Sequence, residues 1–304
     1  MSLKDNDMCK CGSGRLYKDC HKIRDRYKPH KLLQFDKQNY INKWEKDSNY
    51  FSKNGYYDWM ADTLFKHINP KNILDFGCGN GNGILALLKN NDIKNIISIE
   101  ENNVCIKVAQ ENIEKAGFIV DTIFRNNPVI DKKNGIYINK FEPIAIKHSA
   151  KITIIEGEVL YDTLLTEYLK SFKFDAITCW LLGTHESMQN NIEMLQHGIT
   201  SNNKDYRFYI QNRIYELADE ILNKNGVLHI VDRGEIPDNQ ELQDIVRQSH
   251  IEQASVTTLD VLPINWLPYN PLADGIPMVC STVKMDTRKS RPKGNAFLSA
   301  ISIK

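Results

Sequence analysis

The sequence has no long apolar run that could cross a membrane. No window approaches the ~20 consecutive apolar residues that a membrane helix needs, and residues 1–10 lack the apolar stretch of a signal peptide. The composition also differs from that of a disordered or fibrous protein, because 41% of the residues are hydrophobic and 25% are charged. We therefore expect a globular, cytoplasmic protein with no membrane partner.

The net charge of only +1 conceals an uneven distribution along the chain. Residues 1–31 contain nine Lys or Arg against four Asp or Glu, and residues 284–304 contain six against one. Each end therefore has a net charge of +5, and subtracting those 10 charges from +1 leaves −9 for residues 32–283. A basic terminus suits an acidic partner such as RNA or an acidic protein, although an ordinary solvated terminus explains the charge equally well.

Cysteine is scarce outside the first twenty residues, which hold three of the seven. Cys9, Cys11, Cys20 and His21 have the spacing C-x-C-x8-C-H. Three thiolates and one imidazole make a closed tetrahedral zinc site without an open position for catalysis, so a bound zinc would be structural. Metal binding would also fold residues 1–30, which have too few apolar side chains for a core. A redox site or a chance cluster of thiols is the alternative.

The same residues resemble the SEC-C motif. The resemblance includes Gly12-Ser13-Gly14 and Tyr17-Lys18, and Lys10 is the one clear departure because that family usually has proline there. It implies a zinc-bound module that docks onto other proteins, in some cases near nucleic acid.

Five short and nearly continuous apolar runs predict strands that are buried on both faces. They begin at Ile73, Ile96, Ile152, Ala176 and Val227. Apolar patterns at helical spacing separate several of these runs, and another such pattern precedes the first. Alternating strands and helices predict an α/β fold with a Rossmann-like, doubly wound and mostly parallel sheet.

A glycine-rich loop follows the first predicted strand and precedes a predicted helix. Its sequence is Asp75-Phe76-Gly77-Cys78-Gly79-Asn80-Gly81. Glycine permits positive φ and lets a ligand lie against bare backbone. The dinucleotide pattern G-x-G-x-x-G fails in both registers, because its third glycine would fall at Asn82 or at Ile84. An NAD-linked oxidoreductase is therefore disfavoured.

The loop resembles motif I of the class I S-adenosylmethionine-dependent methyltransferases. The resemblance implies that S-adenosylmethionine is the cofactor and that Glu100, which ends the second strand, holds its ribose hydroxyls. Gly157-Glu158 is similar to the family's Gly-Asp near the adenine amino group, with Glu in place of Asp, and the strand ending at Trp180 is similar to the motif IV strand. The implied cofactor-binding residues are Asp75, Gly77, Cys78, Gly79, Glu100, Gly157, Glu158 and Trp180.

The residues after the fourth predicted strand are candidates for catalysis. His185 could accept a proton near neutral pH with Glu186 beside it, although an ordinary loop histidine gives the same pattern. Asp232 and Arg233 are further candidates for substrate contact, with a surface ion pair as the alternative. No Asn/Asp-Pro-Pro-Tyr follows the fourth strand, which argues against an amino methyltransferase of nucleic-acid bases.

We predict four regions: a zinc knuckle over residues 1–30, a helical lid or linker over 31–70, a methyltransferase domain over 71–285 and a basic tail over 286–304. The predicted function is methyl transfer to a small molecule, a protein or RNA, with the knuckle recruiting a macromolecular partner. The alternative is a non-catalytic adaptor that binds protein or RNA through the same fold, although an adaptor has no need of an intact motif I.

Overall fold

A mixed β-sheet runs through the centre of the computed structural model, which describes residues 3–10, 15–145, 150–199, 203–273, 275–276 and 294–304. The strands in this part of the chain are β1 (Asn72–Phe76), β2 (Asn95–Glu100), β3 (Val120–Ile123), β4 (Val129–Ile130), β5 (Tyr137–Ile138), β6 (Ile152–Glu156), β7 (Phe174–Trp180), β8 (Leu222–Glu235), β9 (Asp260–Val261), β10 (Asn265–Tyr269) and β11 (Asn295–Ile303). The order across the sheet is β10-β11-β8-β7-β1-β2-β6-β3, and β9 pairs with β11.

Helices cover both faces of the sheet. They are α1 (Leu32–Lys53), α2 (Tyr56–Phe65), α3 (Asn82–Leu87), α4 (Asn103–Lys115), α5 (Thr163–Lys170), α6 (Ile192–Gln196), α7 (Asn203–Ile221) and α8 (Gln240–Ala254). Neighbouring residues of β1 point to opposite faces, because Ile73 packs in the cluster with α1 to α4 and Leu74 packs in the cluster with α5 and α7. Pairing from β3 to β8 is parallel along the sheet, which confirms the predicted doubly wound and mostly parallel fold.

The end of the chain differs from the prediction of a basic tail over 286–304. Residues Asn295–Ile303 form β11, which pairs antiparallel with β8 on one side and with β10 on the other. Ala296, Phe297 and Ala300 are almost fully buried, so their burial against the sheet explains why this segment is a strand. The basic run 288–293 lies outside the described residues.

The described parts of residues 119–150 and 183–205 contain short elements. In 119–150, β3 extends the edge of the sheet, and β4 and β5 form a separate antiparallel pair. In 183–205, a 3-10 helix over Glu186–Asn190 and α6 precede the start of α7.

The first part of the chain has little regular structure before α1 begins. Residues 3–10 and 15–31, called the SEC-C segment below, contain an isolated bridge between Met8 and Leu16 and three short 3-10 helices. Among the described residues, no helix is both long enough and apolar enough to span a membrane.

Candidate active site and metal cluster

A cavity that is partly open to solvent lies at the carboxyl ends of β1, β2, β6 and β7. This edge is where doubly wound sheets bind their ligands. All eight predicted cofactor-binding residues line the cavity, namely Asp75, Gly77, Cys78, Gly79, Glu100, Gly157, Glu158 and Trp180. His185 also lines it, together with Trp44 and Tyr57, two aromatic residues that precede the glycine loop in sequence.

The glycine loop passes directly under the side chain of Trp44. Gly77, Gly79 and Gly81 have φ values of 87°, 54° and 87°, in the left-handed region that favours glycine. A Cβ atom on Gly79 would lie 2.6 Å from Nε1 of Trp44. Because glycine alone leaves this space open, α1 can approach the loop and close one side of the cavity.

Asp75 joins three strands beneath the loop. Its register partners are Ser98 on β2 and Thr178 on β7. Its Oδ2 accepts a hydrogen bond of 2.7 Å from the Ser98 hydroxyl, and its Oδ1 accepts one of 2.8 Å from the Thr178 hydroxyl. Burial raises the pKa of Asp75, while the two hydroxyl donors act in the opposite direction. The carboxyl group therefore holds the strand ends together at the floor of the cavity.

Two further carboxyl groups line the cavity, the buried Glu158 and the partly exposed Glu100, and neither forms a salt bridge within the described part of the chain. Glu100 accepts backbone hydrogen bonds from Gly79 at 3.1 Å and from Asn102 at 3.0 Å, and burial raises its pKa to about 7. Glu158 accepts one from Leu160 at 3.1 Å, and burial raises its pKa to about 8. Within the described residues, its Oε2 is buried and has no hydrogen-bond partner. These groups fit a ligand that brings hydroxyl or amino donors.

His185 belongs to a buried cluster with Glu101 and Lys37. Its Nε2 lies 3.1 Å from Oε2 of Glu101, whose other oxygen is 2.9 Å from Nζ of Lys37. Burial opposes ionisation of Glu101, but Lys37 and His185 outweigh it and hold the pKa of this carboxyl well below its usual range. Nδ1 of His185 is buried and has no hydrogen-bond partner in the described part of the chain. With Nε2–H directed at a carboxylate, Nδ1 is the nitrogen that can accept a proton.

A second cluster lies in the SEC-C segment. The donor atoms of Cys9, Cys20 and His21 lie within 4.8 Å of one another. Nδ1 of His21 is 3.0 Å from Sγ of Cys9 and 3.2 Å from Sγ of Cys20. Two thiols and an imidazole facing one point suit zinc. Cys11, the fourth predicted ligand, lies outside the described residues.

Comparison with protein families agrees with both sites. Residues 43–138, which include the glycine loop and Glu100, match the family model of the methyltransferase small domain. Residues 6–22, which include the Cys and His cluster, match the SEC-C motif. The match to the methyltransferase small domain therefore begins about twenty residues after the match to the SEC-C motif ends.

Solved structures with a similar backbone include several methyltransferases. The methyltransferase domain of bacterial CtHen1 is 11% identical, with 83% of this chain and 99% of that chain covered and a TM-score of 0.43. The O-methyltransferase from Bacillus cereus in complex with SAH is 12% identical, with 82% and 80% covered and a TM-score of 0.41. The spermidine synthase from Thermotoga maritima is 16% identical, with 82% and 58% covered and a TM-score of 0.39. No curated protein sequence matches the chain.

Trp180 of the methyltransferase fold is held by a buried chain of hydrogen bonds. Its Nε1 donates to Nδ1 of His229 at 3.1 Å, and Nε2 of His229 lies 2.9 Å from the Ser299 hydroxyl on β11. Burial lowers the pKa of His229 to about 3, so its imidazole is neutral and fixes the indole ring. Leu181 follows with φ of 58°, an uncommon conformation for a branched residue.

Glu186 does not lie beside His185 in the cavity, in contrast to the prediction that paired them. Its Oε1 is 2.5 Å from Nε2 of His21 and 3.5 Å from Nε of Arg24, so the side chain faces the SEC-C segment. A 3-10 helix begins at Glu186 and directs adjacent side chains to different sides.

The predicted substrate contacts Asp232 and Arg233 also lie outside the cavity lining. Asp232 accepts a hydrogen bond of 2.8 Å from Gln211, and the Arg233 guanidinium stacks on Trp44 at 5.8 Å. Glu101 and Lys37 also contribute to the site, and neither was predicted from the sequence. Glu101 follows Glu100 directly, which is a signal that was available, whereas nothing in the sequence near Lys37 indicates its position beside the cavity.

Proposed function

We propose that the protein is an S-adenosylmethionine-dependent methyltransferase that uses His185 as a proton acceptor. The observation that carries this proposal is the meeting of the glycine loop, Glu100 and Glu158 in one cavity at the carboxyl edge of the sheet. The match to the methyltransferase small domain supports the reaction class.

The chain's own groups suit this cofactor. The bare backbone of the glycine loop would lie against it, Glu100 would accept hydrogen bonds from its ribose hydroxyls, and Glu158 would accept one from its adenine amino group through the otherwise unpaired Oε2. Ligand donors favour the ionised carboxylates, which burial alone disfavours. Binding would therefore give the buried Oε2 of Glu158 a hydrogen-bond partner, and it would add donors to Glu100, which already accepts two backbone hydrogen bonds.

The bound cofactor would supply an electrophilic methyl group, and the protein would orient the acceptor and keep water away from it. The acceptor's lone pair would form the bond to the methyl group, with S-adenosylhomocysteine as the leaving group, and Nδ1 of His185 would take the proton that the acceptor loses. Glu101 accepts a hydrogen bond from Nε2, orients the ring and stabilises the imidazolium that results. Lys37 keeps Glu101 ionised for this role. An acceptor that loses a proton, such as a hydroxyl or an amine, matches this arrangement.

The SEC-C segment would bind a structural zinc through Cys9, Cys20 and His21, with Cys11 as the fourth ligand. A closed set of four ligands stabilises a fold and leaves no position for substrate. The acceptor is a small molecule, a protein or RNA, and the zinc knuckle is the part that would recruit a macromolecular partner.

The test is transfer of a labelled methyl group from S-adenosylmethionine, with small-molecule, protein and RNA fractions offered as acceptors. Gly79→Ala is the informative variant because its Cβ would meet Trp44 at 2.6 Å. Gly117→Ala is the matched control, since Gly117 also has positive φ, at 90°, but a Cβ there meets nothing within 4 Å.

We expect transfer by the wild type and by Gly117→Ala, and its loss in Gly79→Ala together with loss of cofactor binding. A folded protein that neither binds S-adenosylhomocysteine nor transfers a methyl group to any fraction would favour the adaptor function instead.

A further inference from the structure

We propose that Glu186 is the supporting carboxylate of the zinc site and couples that site to the segment that carries His185. The proposal rests on the zinc assignment above and does not depend on methyl transfer. It assigns Glu186, which the sequence placed beside the reaction, to the metal site instead.

The contacts of His21 divide its two ring nitrogens between different partners. Nδ1 faces the thiols of Cys9 and Cys20, at 3.0 and 3.2 Å. Nε2 lies 2.5 Å from Oε1 of Glu186. A histidine that ligates a metal through one nitrogen usually donates the N–H of the other to a carboxylate or a carbonyl, which fixes the ring and makes it a better ligand. Glu186 is in the position of that acceptor, although it is 165 residues away in sequence.

Glu186 is itself held in place by the same part of the chain. Oε1 lies 3.5 Å from Nε of Arg24, and the Arg24 guanidinium makes a bidentate pair with the buried Asp36 at the start of α1. Ser187, the next residue, donates a short hydrogen bond to Asp36. The SEC-C segment, α1 and residues 186–187 therefore form one polar network, and Glu186 is its link to the metal ligands.

The other neighbour of Glu186 in sequence is His185, which lines the cavity and is buried to 2% exposure. One peptide bond thus separates a residue that contacts a metal ligand from a residue that contacts Glu101. A shift of the backbone at Glu186 would move His185 with it, because one peptide bond joins the two residues. Through this link the zinc site would help to set the position of His185 in the cavity wall, as well as folding its own segment.

The experiment measures the zinc affinity of the full-length protein by competition with a chromogenic chelator. Glu186→Ala should weaken zinc binding by about 10- to 100-fold, the usual loss for a carboxylate that supports a metal-bound histidine. Glu186→Gln should lose less, because its amide oxygen still accepts the N–H of His21. Glu216→Ala is the control, since Glu216 is similarly exposed and pairs only with the nearby Arg213 in the described contacts.

Histidine NMR tests the coupling in the same samples. Removal of zinc should shift the imidazole signals of His185 in the wild type and leave them unchanged in Glu186→Ala. Wild-type protein that binds no zinc would remove the zinc assignment itself. The role of Glu186 would be overturned if the wild type and both Glu186 variants bound zinc with equal affinity. It would also be overturned if the His185 signals of the wild type did not change on removal of zinc. Neither result would affect the assignment of the cofactor site.

Discussion

On one side of the cavity, Asp75, the glycine loop and Glu100 come from a single strand–loop–helix–strand stretch. On the other side, Lys37 from α1, Glu101 from the end of β2 and His185 from the segment after β7 meet only in the folded chain. The match to the methyltransferase small domain includes the whole of the first side, whereas the second side has only Glu101 within the match and takes Lys37 and His185 from outside it. A site of the first kind is visible as a motif, whereas one of the second kind requires the fold. The two sides should accordingly fail in different ways when they are altered.

The largest expected effect concerns the side of the cavity that contains Lys37, Glu101 and His185, called the acceptor side. Replacing His185 by Ala should reduce methyl transfer by about 10²- to 10⁴-fold, the usual contribution of a positioned base. Its affinity for S-adenosylhomocysteine should stay close to that of the wild type. His197→Ala, on an exposed turn after α6, is the control. Turnover that survives in His185→Ala would remove His185 as the proton acceptor.

On the cofactor side, which contains Asp75, the glycine loop and Glu100, a substitution should weaken cofactor binding. Glu100→Ala should weaken cofactor binding by about 1 to 3 kcal/mol, because charge-assisted hydrogen bonds to the ribose are lost. Quenching of tryptophan fluorescence is a suitable measurement, since Trp44 and Trp180 both line the cavity. Glu111→Ala on the exposed face of α4 is the matched control. An affinity equal to that of the wild type would exclude Glu100 from the site.

The pH dependence of binding should sharpen this result. Burial raises the pKa of Glu100 to about 7, so this group is mostly protonated at pH 6 and mostly ionised at pH 8. The ionised form accepts the ribose hydroxyls, and the affinity for S-adenosylhomocysteine should therefore rise by about tenfold from pH 6 to pH 8. Glu100→Gln should reduce this rise, and the part that remains should come from Glu158, whose pKa burial raises to about 8. Affinity that falls over the same range would contradict the role given to the carboxylate.

The last effect concerns the stability of the fold and depends on the hydrogen bonds that hold Trp180 through His229 and Ser299. Ser299→Ala removes the hydrogen-bond partner of Nε2 of the buried His229. Urea unfolding should show a loss of about 1 to 3 kcal/mol, the cost of leaving a buried donor unsatisfied. An unchanged midpoint would indicate that this chain of hydrogen bonds does not stabilise the acceptor side.

Much of the fold could be predicted because its signals are local. Nearly continuous apolar runs mark strands buried on both faces, and the structure places them in one parallel sheet. The sequence predicts a tail over 286–304 because the residues before the final strand are strongly basic. The apolar residues Ala296, Phe297 and Leu298 indicate a strand instead, and all three are buried against the sheet.

The site was predictable to a similar extent. All eight residues predicted for the cofactor line one cavity, since backbone conformation and strand ends bring them together. The roles of Glu101, Lys37 and Glu186 depend on contacts between segments far apart in sequence. Glu186 shows the difference most clearly, because its neighbour His185 faces the cavity while Glu186 itself faces His21.

The central claim is that this cavity binds the methyl donor. Calorimetric titration of the zinc-loaded, full-length protein with S-adenosylhomocysteine at pH 8 tests it most directly. We expect S-adenosylhomocysteine to bind saturably at one site per chain. The affinity should be weaker in Glu100→Ala and unchanged in His185→Ala. A folded, zinc-loaded protein that gives no heat of binding and no competition by S-adenosylmethionine would contradict it.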